Sequence, residues 1–444
     1  MTRNGARLSL GQTAARPCHW DNMKFPKLSG MFLLLTSMMV YLTCVTKPVV
    51  SKPVPPPNSP DLSKDRFQYG IMMDAGSTGT RIHVFKFQLG KNGAPTLSDA
   101  KSKAINPGLS AYADNPDECS KGIQELLDFA KTTVPESQRK STRLVLKATA
   151  GLRLLPKEKA DRLLDKVREV FKESPFPSRK DSVSIMDGTE EGTAAWITIN
   201  FLIDKLNGPD KSTVGVLDLG GGSMQITFTP QDPNQKSTQT TGYITPFQMF
   251  KHHHTLYSRS YLGLGLMSAR LAILGGVEGQ PQGGTEMVSP CLAPESSVQW
   301  NHAGVDYTVK GQKAVPGKSI YESCREKVEK VLSSKNVEKV KEAKGKDFYA
   351  ISAFYHRAQQ HGVNAENNKG IKVNDYLKDA EKVCSMAKPP PKHPFLCLDL
   401  TYISVLLQGL GFPNKELKLV KKIKGKDTSW ALGATLLDMN SQST

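Results

Sequence analysis

The chain has 444 residues, 38% of them hydrophobic, enough to build two domains with sizeable cores. Seven cysteines are too few for a disulfide scaffold, so packing must supply most of the stability. The formal charge of +17 calls for an anionic partner, yet the Lys-rich runs at 325–346 and 415–426 lack interleaved aromatics or Arg-Gly repeats. They read as solvated helix faces, which argues against a nucleic-acid binder.

Residues 1–66 hold nine Lys/Arg against three Asp. Within them, Leu28 to Thr46 is an uncharged, mostly apolar stretch of 19 residues, long enough to cross a hydrocarbon core. Lys24 and Lys27 before it favour a cytoplasmic N-terminus. The expectation is a cytoplasmic tail at 1–27, an uncleaved signal anchor at 28–46 and a Pro-rich stalk at 47–66. A cleaved signal peptide is the rival, and both deliver the remainder to the secretory pathway.

From Phe67 onward, short apolar strands alternate with longer helical stretches, which predicts an α/β fold. Strands are expected at 69–74, 81–88, 143–148, 182–186, 213–218 and 224–229. Helices are expected at 118–132, 157–173, 190–206, 259–275, 319–333 and 396–411, with a polar loop tip at 231–240. Cys291 with Cys324 and Cys384 with Cys397 are the simplest local pairs, leaving Cys119 unpaired. No CxxC spacing marks a zinc site, and no Asn-x-Ser/Thr sequon occurs. His252–His254 lack the i, i+4 spacing of helical metal ligands and read as a surface loop. Trp196 reads as core.

The chain repeats itself weakly. YGIMMDAGSTGTRIHVFKF at 69–87 and VGVLDLGGGSMQITFTP at 214–230 each run a buried strand into Asp, then a Gly/Ser turn, then a second strand. In the first, Asp74 places a carboxylate where a hydrated divalent cation could sit, and the turn from Gly76 to Thr80 offers backbone N–H groups and hydroxyls to an anion. In the second, Asp218 is followed by Gly220, Gly221 and Gly222. Consecutive glycines are costly for packing and fit close approach of backbone to a ligand. Ser223 and Gln225 share one side of the next strand and could hold a water.

Lys147 to Arg153 (KATAGLR) contains Thr149, a further phosphate donor. Asp187 to Gly192 (DGTEEG) precedes an apolar run. Thr189 could cap that helix, and Glu190 and Glu191 point about 100° apart on it. One carboxylate facing a water beside the phosphate could act as general base. Neither a P-loop nor a GxGxxG opening a helix is present.

DAGSTGTR, KATAGLRLLP, IMDGTEEGTAAWITINFL, VLDLGGGSMQI and SWALGA at 429–434, in that order, resemble the five conserved regions of the ectonucleoside triphosphate diphosphohydrolase (apyrase) family. SYLGLGLMSARLAILGGVEGQP at 260–281 resembles its Golgi-type nucleoside diphosphatase branch. The resemblance implies the actin-like ATPase superfold: two ribonuclease H-like domains, here 67–205 and 206–428, with nucleotide between them and a helix at 429–444 packing back on the first.

It also implies roles. Asp74 and Asp218 would hold Ca²⁺ or Mg²⁺, mostly through water. Ser77, Thr78, Gly79, Thr149, Ala150 and Gly220 to Gly222 would bind phosphate. Glu191 would be the base, with Ser223 and Gln225 positioning the attacking water. Tyr355 and Trp430 are candidates for gripping the base of the nucleotide. The implied activity is hydrolysis of GDP, IDP and UDP ahead of triphosphates, by a monomeric Golgi type II membrane protein that also exists in a secreted or cell-surface form. A phosphotransferase or chaperone-type ATPase on the same superfold is the alternative, and phosphate release without an added acceptor separates the two.

Overall fold

The computed structural model describes residues 67–441, except 91–94, 232–241, 280–283, 314, 361–369 and 413–414. The expected tail, anchor and stalk lie outside the described residues, as does nearly all of the loop tip at 231–240. Among the described residues no helix is long and apolar enough to cross a membrane.

Two mixed sheets organise the chain. The first orders its strands β3-β2-β1-β4-β5: β1 is Phe67–Ala75, β2 Thr80–Leu89, β3 Pro95–Ile105, β4 Leu144–Ala148 and β5 Val183–Ile185. β1 pairs antiparallel with β2 and parallel with β4. The second sheet uses β6 (Gly215–Leu219), β7 (Ser223–Phe228), β8 (Ile244–Met249) and β9 (His252–Leu262). It continues, after the three-stranded sheet described below, with β13 (Phe348–Ser352), β14 (Gly370–Lys372) and β15 (Glu416–Leu419). Its order is β14-β15-β13-β6-β7-β9-β8.

Read from β9 to β15, the second sheet repeats the first strand for strand. β6 stands for β1, with an antiparallel hairpin partner on one side and parallel β13 on the other. Asp74 is the penultimate residue of β1 and Asp218 of β6. The sequence repeat is therefore a topological one, and the two aspartates occupy equivalent strand ends.

Alternation along β1 builds two layers at once. Ile71 and Met73 face a core completed by α1 (Cys119–Thr133) and α2 (Lys157–Lys172), with Leu126, Leu127, Leu163 and Val167 buried there. Met72 faces the other way, toward α3 (Gly188–Leu202) and the C-terminal helix Trp430–Ser441. Those two helices approach so closely that a Cβ on Gly433 would lie 1.9 Å from the Ala194 carbonyl oxygen. Thr198 Oγ1 joins them, donating to the Ser429 carbonyl at 3.0 Å and accepting from Gly433 N–H at 2.8 Å. This contact explains why a Gly stands in SWALGA. Trp196 is fully buried in the same core.

Cys291–Cys324 and Cys384–Cys397 are both bonded, and Cys119 is free and buried. Several expectations need correction. The helix predicted at 259–275 is two elements: β9 runs to Leu262, and α4 spans only Leu266–Leu274. Gly263, at φ 81°, makes the break that an unbroken apolar pattern concealed. The histidine run is not a surface loop. It opens β9, and His254 is buried, with Nδ1 2.6 Å from Asp210 Oδ1 and Nε2 3.1 Å from the Leu206 carbonyl. The cap of α3 is Asp187, whose carboxylate accepts from Thr189 N–H at 2.7 Å, so Thr189 is the capped residue. A small sheet of β10 (Glu286–Ser289), β11 (Ser297–His302) and β12 (Val305–Gly311) was not anticipated.

Candidate active site

The two repeated hairpins face each other. A Cβ on Gly221 would lie 2.3 Å from Ser77 Oγ and 3.1 Å from Thr78 Cγ2, and one on Gly222 would lie 2.8 Å from Ala150 Cβ. Glycine is thus required at 221 and 222 because the turn of the other hairpin and the end of β4 come this close. Ser77, Thr78, Ala150, Gly221 and Gly222 form one cluster. Gly79 closes its turn by giving its carbonyl to Gly76 N–H at 3.0 Å. Thr149, buried, directly follows β4 beside Ala75, to whose carbonyl its N–H donates at 3.2 Å.

The glycine loop is held by its carbonyls. Gly220 O accepts from Leu266 N–H at 2.8 Å, Gly221 O from Met267 N–H at 2.9 Å and Ser268 N–H at 3.2 Å, and Gly222 O from Gly263 N–H at 2.9 Å. Because a trans peptide points its N–H opposite its carbonyl, the N–H groups of Gly221, Gly222 and Ser223 turn away from α4. That is the arrangement an anion needs.

Asp74 and Asp218 are buried, and Oδ1 of each has no hydrogen-bond partner. Burial pushes Asp74 up to about 7, with Arg81 pulling down and Asp218 pushing further up. Burial likewise pushes Asp218 to about 6, against the Ser352 hydroxyl. Two orphaned carboxylate oxygens that feel each other's charge are what a hydrated divalent cation would satisfy, so the pair fits one. Among the described residues no three His, Cys, Asp or Glu group as a protein-only metal cage. Water and substrate would have to complete the shell.

Glu191 enters the same cluster from the first turn of α3, while Glu190 on the neighbouring position is exposed. Glu191 Oε2 accepts from Arg153 Nη2 at 2.5 Å and Gln225 Nε2 at 3.1 Å. Both bonds land on Oε2, which leaves Oε1 to face a water. Gln225 Nε2 also donates to Ser223 Oγ at 2.7 Å, and Arg153 Nη2 donates to it at 3.0 Å. With both lone pairs of Ser223 Oγ engaged, its O–H is the donor left over. Burial raises Glu191 to about 8, with Arg153 opposing and the Asp218 and Asp74 charges adding. A carboxylate poised this high suits proton abstraction near neutrality.

Tyr355 and Trp430 are not brought to this cluster. Tyr355 is 6% exposed within the core of the second sheet, and Trp430 is 5% exposed in the core between α3 and the first sheet. Three functional residues escaped sequence reading. Arg153 closes KATAGLR, and a cation in so apolar a run was the available signal. Ser352 holds a left-handed φ of 59° at the end of β13 beside Asp218, and Ser260 Oγ takes a 3.2 Å bond from Gln225 Nε2. Neither serine carries a local motif.

Residues 61–444 match the model of the GDA1/CD39 (nucleoside phosphatase) family. Ectonucleoside triphosphate diphosphohydrolase 6 of Mus musculus is 54% identical over 370 residues, covering 82% of this chain and 80% of the mouse protein. Nucleoside diphosphate phosphatase ENTPD5 of Homo sapiens is 44% identical over 372 residues, 83% of this chain and 86% of the human protein. A nucleoside triphosphate hydrolase from Neospora caninum aligns in structure with a TM-score of 0.63 at 14% identity, over 94% of this chain and 98% of its own. The strand order and that alignment together establish the actin-like ATPase superfold.

Proposed function

Since the chain belongs to the GDA1/CD39 nucleoside phosphatase family and is a hydrolase, we propose that it removes the terminal phosphate of nucleoside 5'-diphosphates by direct attack of water, taking GDP, IDP and UDP ahead of triphosphates. The observation that carries this reading is buried Glu191 joined through Oε2 to Gln225 and, by way of Gln225 and Arg153, to Ser223 at the end of the glycine loop.

Ser77, Thr78, Thr149 and the N–H groups of Gly221, Gly222 and Ser223 bind and orient the phosphate chain. Ser223 and Gln225 place the water, and Glu191 takes its proton while Arg153 keeps the carboxylate in position. Asp74 and Asp218 would hold Ca²⁺ or Mg²⁺, largely through water, and the bound cation would neutralise phosphate charge. No covalent phosphoenzyme is required. Two disulfides and the apolar stretch at 28–46 support a lumenal enzyme with an N-terminal membrane anchor. The five-stranded sheet lies within 67–205 and the seven-stranded one within 206–428, which supports division into domains there.

The test is phosphate release from GDP, IDP, UDP and the corresponding triphosphates with Ca²⁺, Mg²⁺ or EDTA, comparing the wild type with Glu191→Gln. Expected are diphosphate preference, loss in EDTA, and a variant that binds nucleotide but loses about 10²–10⁴-fold in turnover. A variant as fast as the wild type would overturn the role of Glu191.

A further inference from the structure

Behind the glycine loop, on the side away from Ser77, stands a set of polar side chains that makes no contact with the acid cluster. Ser268, on the first turn of α4, donates its hydroxyl to Glu278 Oε1 at 2.5 Å. His302, at the end of β11, brings Nε2 to 2.9 and 3.0 Å from the two oxygens of Glu278. Ser268 and His302 are buried, and Glu278 is largely so. The imidazole is stacked on Trp300, with centroids 5.0 Å apart and rings 23° from parallel. Arg270, two residues further along α4, places its guanidinium 5.2 Å from the Trp300 ring centroid and pairs with Asp399 at 2.7 Å.

We propose that Ser268, Glu278 and His302 form a positioning relay that fixes the N-terminus of α4 and, through it, the orientation of the Gly220–Gly222 peptides. The chain of contacts is short. The Ser268 N–H, with those of Leu266 and Met267, grips the glycine carbonyls, and the Ser268 hydroxyl is tied to Glu278. His302 in turn anchors Glu278 to the small sheet. A Cβ on Gly265 would lie 2.3 Å from Ser223 N and 2.4 Å from Gly221 C, so the helix end and the loop backbone move as one body. Burial pushes Glu278 up, but bonding and charge from His302, with the Ser268 hydroxyl, outweigh it and hold the carboxyl below its ordinary value. The carboxylate form that both partners need is thereby secured.

The inference rests on the reading that this loop binds the transferring phosphate. A loop that slackens should still bind nucleotide, held elsewhere along the phosphate chain, but should stabilise the transition state less. Steady-state kinetics on GDP with Ca²⁺ would compare the wild type with Ser268→Ala, Glu278→Gln, His302→Ala, His302→Gln and the Ser268→Ala/Glu278→Gln double variant, each alongside its thermal midpoint. Expected is a fall in kcat of about tenfold in the singles with KM changed less than about twofold. The double variant should be no slower than the worse single, and His302→Gln, which retains a donor, should recover much of what His302→Ala loses. Unchanged kcat, additive losses, or losses that track the folded fraction would overturn the relay. If instead the wild type fails to release phosphate, or Glu191→Gln matches it, the proposed function has failed and not the relay.

Discussion

Gly221→Ala probes the apposition of the two hairpins most directly. The added methyl carbon would lie 2.3 Å from Ser77 Oγ and 3.1 Å from Thr78 Cγ2. Ordinary van der Waals contact begins about 1 Å beyond the first of these distances. Either the Ser77 hydroxyl rotates out of its place or one loop retreats by about 1 Å. Both outcomes remove an oriented phosphate donor, and a displacement of this size costs roughly 100-fold in rate. Stability should change little, by about 1 kcal/mol, because Ser77 is a surface-turn side chain that can yield. Initial rates of phosphate release and a thermal melt separate the two effects. Ser77→Ala removes the clashing oxygen, so Gly221→Ala made in that background should cost far less than it does alone. A Gly221→Ala enzyme with wild-type kcat/KM would show that the hairpins do not face each other in the working protein.

Two further outcomes follow from the charges. Arg153→Gln removes the cation that pulls Glu191 down against burial, so the carboxyl must rise above about 8. A base works only when ionised, so the acid limb of the kcat/KM profile should move to higher pH, with activity at pH 7 falling about tenfold per unit moved. A profile that stays in place would exclude Glu191 as the titrating group. The second outcome concerns stability. Folded Asp74, Asp218 and Glu191 titrate near 7, 6 and 8, all above their unfolded values. The folded state therefore keeps protons that the unfolded chain has released, and stability falls as pH rises from about 4 through about 8. A divalent cation bound by the aspartates offsets that loss. The rise in thermal midpoint on adding Ca²⁺ or Mg²⁺ should accordingly be larger at pH 8 than at pH 5, and equal shifts would contradict a cation held by these carboxylates.

What could be read in advance was what local chemistry dictates. The hairpins around Asp74 and Asp218 announce themselves because a strand, an acid and a glycine turn are contiguous, and continuous apolar runs mark strands buried on both faces. β3 stayed hidden because its sequence, PTLSDAKSKAI, is mostly exposed at the sheet edge and carries little apolar signal. Residues 260–274 misled for the opposite reason: an apolar run without alternation cannot distinguish a buried strand from a buried helix, and the glycines at 263 and 265 were the cue to the break. Within the site, helix geometry said only that one of Glu190 and Glu191 could enter the cleft, and it was the family resemblance that singled out Glu191. The partnership of Arg153 with Glu191 spans 38 residues, and that of Ser268, Glu278 and His302 joins three different elements, so no spacing rule could reveal either.

The close contact of Gly433 with Ala194 also orders events during synthesis. The helix bearing Glu191 is covered on one side by a segment synthesised after all the acid groups, and Thr198 cannot complete its two bonds before then. A nascent chain stalled between 218 and 429 would hold all the acid groups yet leave the apolar flank of that helix bare, a target for chaperones rather than a working hydrolase.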